Sequence, residues 1–461
     1  MIQQWHGKRV TVMGLGRFGG GVGVTRWLAR AGARVLVTDR LPAERLAGSL
    51  AQIDDLPIEL RLGRHDEHDF READVVVVNP AVPDHSPFLQ AARAAGVPVT
   101  TEMNLFVQRC RGRCVGVTGS VGKSTITAMI GHILRETGAG RRVWVGGNIG
   151  RSLLDDLNEV RPDDIVVLEL SSFQLERTPT VRWSPHTAVI SNVSENHLDW
   201  HGSFAAYLKA KLNILRFQDR RRDALVLGDT PALRSAVRDA VRDHARVWYY
   251  GLDDDTPRAR GPAFGLAGTP PPEMSWPDVR LNVPGQHNRL NAAAALTVAH
   301  LYDIPPDRAV AALESFAALP DRLQRVADRD GVTYYNDSKS TTPEAALTGM
   351  AALKTPVLII VGGYDKGSDL RQFAEIAARR AKFAACIGQT GAALAELIRA
   401  AGGNAELCGD LPTAVDACSR RAEPGDTVLL SPACASWDQF DDYRARGAAF
   451  TQLVQRGGST L

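Results

Sequence analysis

The chain has 461 residues, 44% of them hydrophobic and 23% charged, enough to bury the cores of two to four globular domains. Its net charge of +2 excludes the strongly basic character of a nucleic-acid binder and gives no reason to expect an anionic membrane surface as partner. The opening "MIQQWHGKRVTVMGLG" has too short an apolar run for a secretory leader, and no later stretch is apolar enough to span a bilayer.

Taken in order, short β-branched runs alternate with helical stretches, the pattern of α/β domains with parallel sheets. "RVTVM" (9–13) predicts a strand, "GLGRFGG" a turn, residues 22–31 a helix, and "RVLVTD" (34–39) and "DVVVVN" (74–79) further strands. A second series opens with "CVGVT" (114–118), a glycine-containing loop and a helix over 124–136, and continues with "DIVVLEL" (164–170) and "HTAVIS" (186–191). "TPPPEMSWP" (269–277) reads as a surface loop. A third series comprises 332–337, 356–363, 383–388 and 426–431. Breaks near 106–113 and 317–320 divide the chain into three α/β domains, 1–108, 109–318 and 319–461. The six cysteines are scattered, with only Cys110 and Cys114 close together, so reduced thiols are expected rather than a zinc site.

Ligands of such sheets gather beyond the carboxyl ends of the strands. The first such end, "MGLGRFGG", places Gly14, Gly16 and Gly19 after a strand, with Asp39 twenty residues beyond Gly19. Alone, this spacing fits a dinucleotide fingerprint and hence an NAD-dependent oxidoreductase. The second, "GVTGSVGKST" (116–125), lacks the glycine that the usual phosphate loop requires at position 117, yet it joins a strand to a helix. Backbone N–H groups there favour phosphate oxygens, Gly119 and Gly122 allow close approach, Lys123 reaches terminal phosphates, and Ser124 or Thr125 can hold Mg²⁺. Glu169 ends an apolar strand; such an acid is commonly a surface residue, but here it follows the loop by one strand and helix, where a Mg²⁺ carboxylate belongs. His197 and His201, singly, are ordinary loop histidines. In "FAAYLKAKLNIL", Phe204, Tyr207, Leu208, Lys211, Leu212 and Leu215 share one helix face, which puts Lys211, but not Lys209, on an apolar surface. A buried lysine is unfavourable unless neutral or paired.

"TGSVGKST", "GGNIG", "LELSSFQLE", "NVSENHLD", "GQHNRLNAAAA", "LPDRLQRV", "NDSKSTTPEAAL", "GGYDKG" and "LLSPACASWDQF" follow one another in this order. Together they resemble the Mur ligases over nearly the whole chain, and most closely the branch that adds D-glutamate. Val121 stands where the family often has asparagine, and Asn196 where some members have aspartate.

The resemblance implies three α/β domains: N-terminal Rossmann-like, central mononucleotide-binding of the phosphate-loop type, and C-terminal Rossmann-like. It implies a cytoplasmic, monomeric, ATP-driven amide ligase with two Mg²⁺ ions, joining D-glutamate to UDP-N-acetylmuramoyl-L-alanine in peptidoglycan precursor synthesis. Neither nucleic acid nor membrane is an implied partner. Lys123, Glu169, His197 and Lys211 become the catalytic set. Ser124, Glu169, His197 and Lys211, the last as a carbamate, become the metal ligands. ATP falls to Gly119, Ser120, Val121, Gly122, Lys123, Ser124 and Thr125, with Asn288 from the middle domain and Arg322, Asp337 and Lys339 from the third. The first glycine loop then holds uridine diphosphate through Gly14, Gly16, Arg17, Phe18, Gly19, Asp39, Asn79 and Asn148. Thr341, Lys366, Ser436 and Tyr443 are assigned to D-glutamate, and domain closure is expected to complete the site. A sister ligase adding another amino acid, a nicotinamide oxidoreductase and a non-catalytic phosphate-loop switch are the competing readings. An oxidoreductase leaves Lys123, Glu169, His197 and Lys211 together without a role.

Overall fold

A computed structural model of the chain describes residues 4–16, 19–138, 141–261, 272–277 and 279–456. Three sheets, each flanked by helices, make three α/β domains. The first contains β1 (Arg9–Met13), β2 (Arg34–Asp39), β3 (Glu59–Leu62), β4 (Val75–Val78) and β5 (Val99–Thr100), all parallel, in the order β3-β2-β1-β4-β5. The order reverses between β1 and β4, the switch point where a crevice forms beyond the strand ends.

The second sheet contains β6 (Arg113–Thr118), β7 (Val143–Gly147), β8 (Ile165–Glu169), β9 (Thr187–Ile190), β10 (Ala224–Gly228), β11 (Val247–Asp253), β12 (Thr256–Arg260) and β13 (Glu273–Ser275). Their order is β13-β12-β11-β10-β9-β6-β8-β7, parallel from β7 to β11 and antiparallel through β12 and β13. The third contains β14 (Gln324–Arg329), β15 (Val332–Asn336), β16 (Val357–Gly362), β17 (Ala381–Ile387), β18 (Ala405–Gly409) and β19 (Thr427–Leu430) in the order β14-β15-β19-β16-β17-β18, with only β14 antiparallel. By compactness the chain forms two units, Met1–Val279 with Leu290–Leu313 and Arg280–Arg289 with Glu314–Leu461. The first unit holds the first two sheets and the second unit the third. Asn288, expected from the middle of the chain, lies in the second unit.

Strands covered on both faces by helices need continuous apolar runs. Accordingly β8 and β19 are buried along their full length, as is β6 after its first residue. The stretch expected as a loop at 269–277 differs. Its described part contains β13, because the backbone of Glu273–Ser275 pairs with β12 and extends the sheet edge.

Two glycines of the helix Gly20–Arg30 are required by close contacts. A Cβ on Gly21 would lie 2.2 Å from the Leu15 carbonyl oxygen, and one on Gly23 would lie 2.3 Å from the Ser152 Cβ. Gly21 thus lets the helix start against its own loop, and Gly23 admits the segment after β7.

Candidate active site

The phosphate loop leaves buried β6 at Thr118 and enters the helix Lys123–Thr137 through Gly122, whose φ is +86°. Two contacts explain the displaced glycines. A Cβ on Gly119 would fall 1.9 Å from Ser191 Oγ, and one on Gly122 2.7 Å from Asn291 Oδ1. The segment after β9 then straps the loop. Ser120 N donates to the Asn192 carbonyl (2.9 Å), Val121 N to Asn192 Oδ1 (3.0 Å), and Ser191 Oγ and Asn192 Nδ2 both donate to the Val121 carbonyl (2.7 and 3.1 Å). Ser120 Oγ accepts from Ser194 N and lies 2.9 Å from the Tyr207 hydroxyl. Val121 points its side chain outward, 64% exposed, and contributes through its backbone. Its departure from asparagine therefore removes none of these contacts.

Lys123 Nζ folds back to donate to the Gly119 and Ser120 carbonyls at 2.9 and 3.0 Å. Ser124 is buried at the helix start and Thr125 half-buried.

Glu169 ends β8 opposite Val117 of β6 and is 2% exposed. Its Oε1 accepts from Asn148 Nδ2 at 2.9 Å, whereas its Oε2 is buried with no hydrogen-bond partner among the described residues. A buried carboxylate oxygen in that position is unfavourable by about 1–3 kcal/mol or more unless something meets it. A divalent cation of the oxygen-seeking kind fits it. Asn148, expected at the sugar nucleotide, is thereby joined to the phosphate-loop cluster.

Lys211 lies in the helix Phe204–Leu212 as the apolar stripe predicts: it is 2% exposed, whereas Lys209 is exposed. Its Nζ donates to the Gly119 carbonyl at 2.8 Å and sits 4.6 Å from the centre of the Tyr207 ring. Burial, reinforced by the Lys123 ammonium and only partly opposed by Glu169, lowers the Lys211 amine to about 7.

His197 takes a left-handed backbone (φ +52°) ahead of the short helix Leu198–His201, its ring 4.9 Å from that of Phe173. Burial, then the Lys123 charge, lowers its imidazole from the ordinary value. His201, expected to be an ordinary loop histidine, instead packs against Phe173 with its Nε2 3.0 Å from Ser172 Oγ.

At the switch point of the first sheet, Gly14, Gly16 and Gly19 all have positive φ. Asp39 accepts from Gly16 N at 3.2 Å and from Leu41 N at 2.9 Å, and a Cβ on Gly14 would lie 3.0 Å from that of Asn79. Asp39, Asn79, Gly14 and Gly16 therefore lie together beyond the carboxyl ends of β1, β2 and β4. Arg17 and Phe18 lie outside the described residues.

In the second unit Asp337, Lys339 and Thr341 follow β15, Lys366 follows β16, and Ser436 and Tyr443 follow β19, whereas Arg322 precedes β14 and Asn288 lies in the segment Arg280–Arg289. Asp337 is buried and accepts from Ser340 Oγ (2.6 Å), Ser431 Oγ (2.8 Å) and Leu323 N (3.1 Å); burial raises its carboxyl to about 6. Lys339 lies 5.2 Å from the Tyr443 ring centre. Thr341 is half-buried, and Arg322 adjoins Leu323, whose N–H reaches Asp337 from the segment ahead of β14. Asn288 is buried and donates to the Pro284 carbonyl at 2.7 Å. Ser436 is 2% exposed, and Lys366 stands 5.1 Å from the ring centre of the adjacent Trp437.

Arg446 was not anticipated. It is 1% exposed and donates to Ser338 Oγ and to the carbonyls of Ser338, Cys434 and Ala435, tying the loops after β15 and β19 together. Burial lowers its guanidinium to about 10.

Family models match along the chain: the "Mur ligase MurD-like, N-terminal domain" at 8–101, the "Mur ligase middle domain" at 117–299 and the "Mur ligase, glutamate ligase domain" at 321–434. The chain belongs to the Mur ligase family. Relatives named UDP-N-acetylmuramoylalanine–D-glutamate ligase include those of Roseiflexus sp. (strain RS-1), 38% identical with 98% of this chain and 99% of the relative covered, and Symbiobacterium thermophilum, 36% identical with 97% and 98% covered. Among solved structures, UDP-N-acetylmuramate-alanine ligase from Thermotoga maritima superposes with a TM-score of 0.61 at 20% identity, covering 97% of this chain and 99% of that one. The MurF ligase of Thermotoga maritima in complex with ADP gives 0.54 at 17% identity, covering 99% and 97%. At those identities the structures establish that this Mur ligase shares their fold.

Proposed function

We propose that this Mur ligase uses ATP to join D-glutamate to the L-alanyl carboxylate of UDP-N-acetylmuramoyl-L-alanine, a step of peptidoglycan precursor synthesis. The observation that carries it is the convergence of two buried ionisable side chains, Glu169 and Lys211, on a phosphate loop in a chain 34–38% identical to D-glutamate ligases over almost its full length. Binding of the sugar nucleotide is assigned to the crevice of Asp39, Asn79 and the glycine loop, with Arg17, Phe18 and Asn148. The domain boundaries 1–108, 109–318 and 319–461 form part of the same proposal. Among the described residues no helix is long and apolar enough to cross a membrane. A monomer in the cytoplasm is the proposed state.

The substrate carboxylate attacks the γ-phosphate of ATP, ADP leaves, and an acyl phosphate forms. The D-glutamate amine then adds to the acyl carbon, and phosphate departs from the tetrahedral intermediate. Bringing two anions together is the difficult part, and Lys123, released from its own loop carbonyls, offsets the repulsion. Two Mg²⁺ ions would neutralise phosphate charge when bound. Ser124 and Glu169 would hold one, and Glu169, His197 and a carbamate on Lys211 the other. The orphaned Glu169 Oε2 and the neutral-leaning Lys211 amine support that donor set. From the second unit, Asn288, Arg322, Asp337 and Lys339 are assigned to ATP. Thr341, Lys366, Ser436 and Tyr443 are assigned to the amino acid, whose two carboxylates suit a cation and hydroxyl donors.

Two measurements test this reading. At a hundred times its Kd, UDP-N-acetylmuramoyl-L-alanine should stabilise the folded chain by about 2.7 kcal/mol, seen as a rise in Tm, while NAD should give none; a shift with NAD alone would overturn the reading. Phosphate release over a panel of amino acids should require D-glutamate, and Lys366→Ala should raise KM for D-glutamate roughly ten- to hundred-fold. Turnover with another amino acid would point to a sister ligase, and equal effects of Lys366→Ala on both substrates would remove Lys366 from the amino-acid pocket.

A further inference from the structure

Beside Ser436 the second unit exposes a large indole. Trp437 is 61% exposed, and its ring lies 5.5 Å from that of Tyr364, itself 39% exposed. Tryptophan is ordinarily among the more buried side chains, so a ring kept in water calls for a reason. The loops carrying the pair are not loose. Tyr364 N donates to the Ala435 carbonyl at 2.9 Å, Gln389 N donates to Asp438 Oδ2 at 2.8 Å, and Thr390 Oγ1 donates to the Gly363 carbonyl at 3.1 Å.

Lys366 is the third element. Its Nζ stands 5.1 Å from the centre of the Trp437 ring, within cation–π range, and it forms no ion pair with a carboxylate among the described residues. The carboxylates next to it in sequence are turned to other work: Asp365 accepts from Gly367 N, and Asp369 pairs with Arg371. An ammonium placed on an aromatic face and left without a counter-ion remains available to an incoming anion. An aromatic face supplies this hold without competing for that anion, as a carboxylate would.

We propose that Trp437 is a positioning residue for D-glutamate: its indole face holds the Lys366 ammonium toward the pocket that binds an amino-acid carboxylate. This rests on the assignment of Lys366 and Ser436 to D-glutamate. Trp437 acts through Lys366 and makes no chemical step of its own.

The test is a double-mutant cycle on the full-length enzyme with ATP and UDP-N-acetylmuramoyl-L-alanine saturating and D-glutamate varied. Trp437→Leu should raise KM for D-glutamate about three- to five-fold, the size of an exposed cation–π contact, with the loss in KM rather than kcat. Trp437→Phe should recover most of it. In the Lys366→Ala background, Trp437→Leu should have no further effect. An unchanged KM in Trp437→Leu would overturn the proposal while leaving the pocket assignment standing, as would the same factor in both backgrounds. No effect of Lys366→Ala alone would remove the pocket assignment and this proposal with it. Melting curves of each variant confirm that the comparison is between folded proteins; should Trp437→Leu fail to fold, Trp437→His replaces it, with the same outcomes deciding.

Discussion

Lys211→Ala should lower turnover by on the order of 10²–10³-fold while the protein stays folded. The substitution removes an amine from an apolar helix face, where burial and Lys123 already hold it near 7 rather than its ordinary 10.5. A neutral amine takes up CO₂, and the carbamate offers the hard oxygens that Mg²⁺ prefers. Two features make the outcome specific. Acetate or formate added to the variant should restore part of the activity by supplying carboxylate oxygens, and methylamine should not. The wild-type enzyme should also lose activity as pH falls through about 7, because an ammonium cannot take up CO₂. Stability has its own sign. The unfolded amine holds its proton to about 10.5 and the folded one releases it near 7, so between these values the folded chain binds fewer protons and stability rises with pH. Lys211→Ala should flatten that slope in pH-dependent melts. A fully active alanine variant would return Lys211 to a structural role.

Glu169→Gln should be nearly as damaging, again on the order of 10²–10³-fold, for a different reason. The amide is the same size and keeps an oxygen for Asn148 Nδ2, so the hydrogen bond at Oε1 survives. What disappears is the charge, together with the partnerless Oε2. The defect should appear as a raised Mg²⁺ requirement in activity titrations, with a melting temperature equal to or above that of the wild-type protein, since a buried negative charge with one unpartnered oxygen has been removed. A loss of fold with unchanged Mg²⁺ dependence in the surviving fraction would make Glu169 a structural acid.

Much of this site was legible before the structure because its signals are local. Strand, displaced glycines and helix follow one another within 116–137, and period-four spacing alone places Lys211 on the buried face and Lys209 outside. The strap over the loop was not legible. Val121 and Asn192 are 71 positions apart, and Ser120 and Tyr207 are 87 apart, so only β9 lying beside β6 reveals their pairing. Arg446 escaped for a related reason. An arginine in a helix reads as a surface residue, and this one is buried because oxygens from two distant loops collect around it. Among strands, most of those covered on both faces were clear from their apolar runs. β3 and β14 are sheet-edge strands that keep polar, partly exposed residues, so neither carries an apolar run to reveal it. β13 hid among prolines whose described neighbours pair through the backbone. β10 is wholly buried and was nonetheless passed over, although its apolar run is no shorter than those of β9 and β19.

In the proposed reaction ATP activates the L-alanyl carboxylate as an acyl phosphate. The most direct measurement starts from UDP-N-acetylmuramoyl-L-alanine whose terminal carboxylate carries oxygen-18, with ATP and D-glutamate unlabelled. When the amine displaces phosphate from the acyl carbon, the bridging oxygen leaves with it. Mass analysis of the released phosphate should therefore find one heavy oxygen per molecule formed. Phosphate carrying only unlabelled oxygen, at a rate matching product formation, would contradict the account.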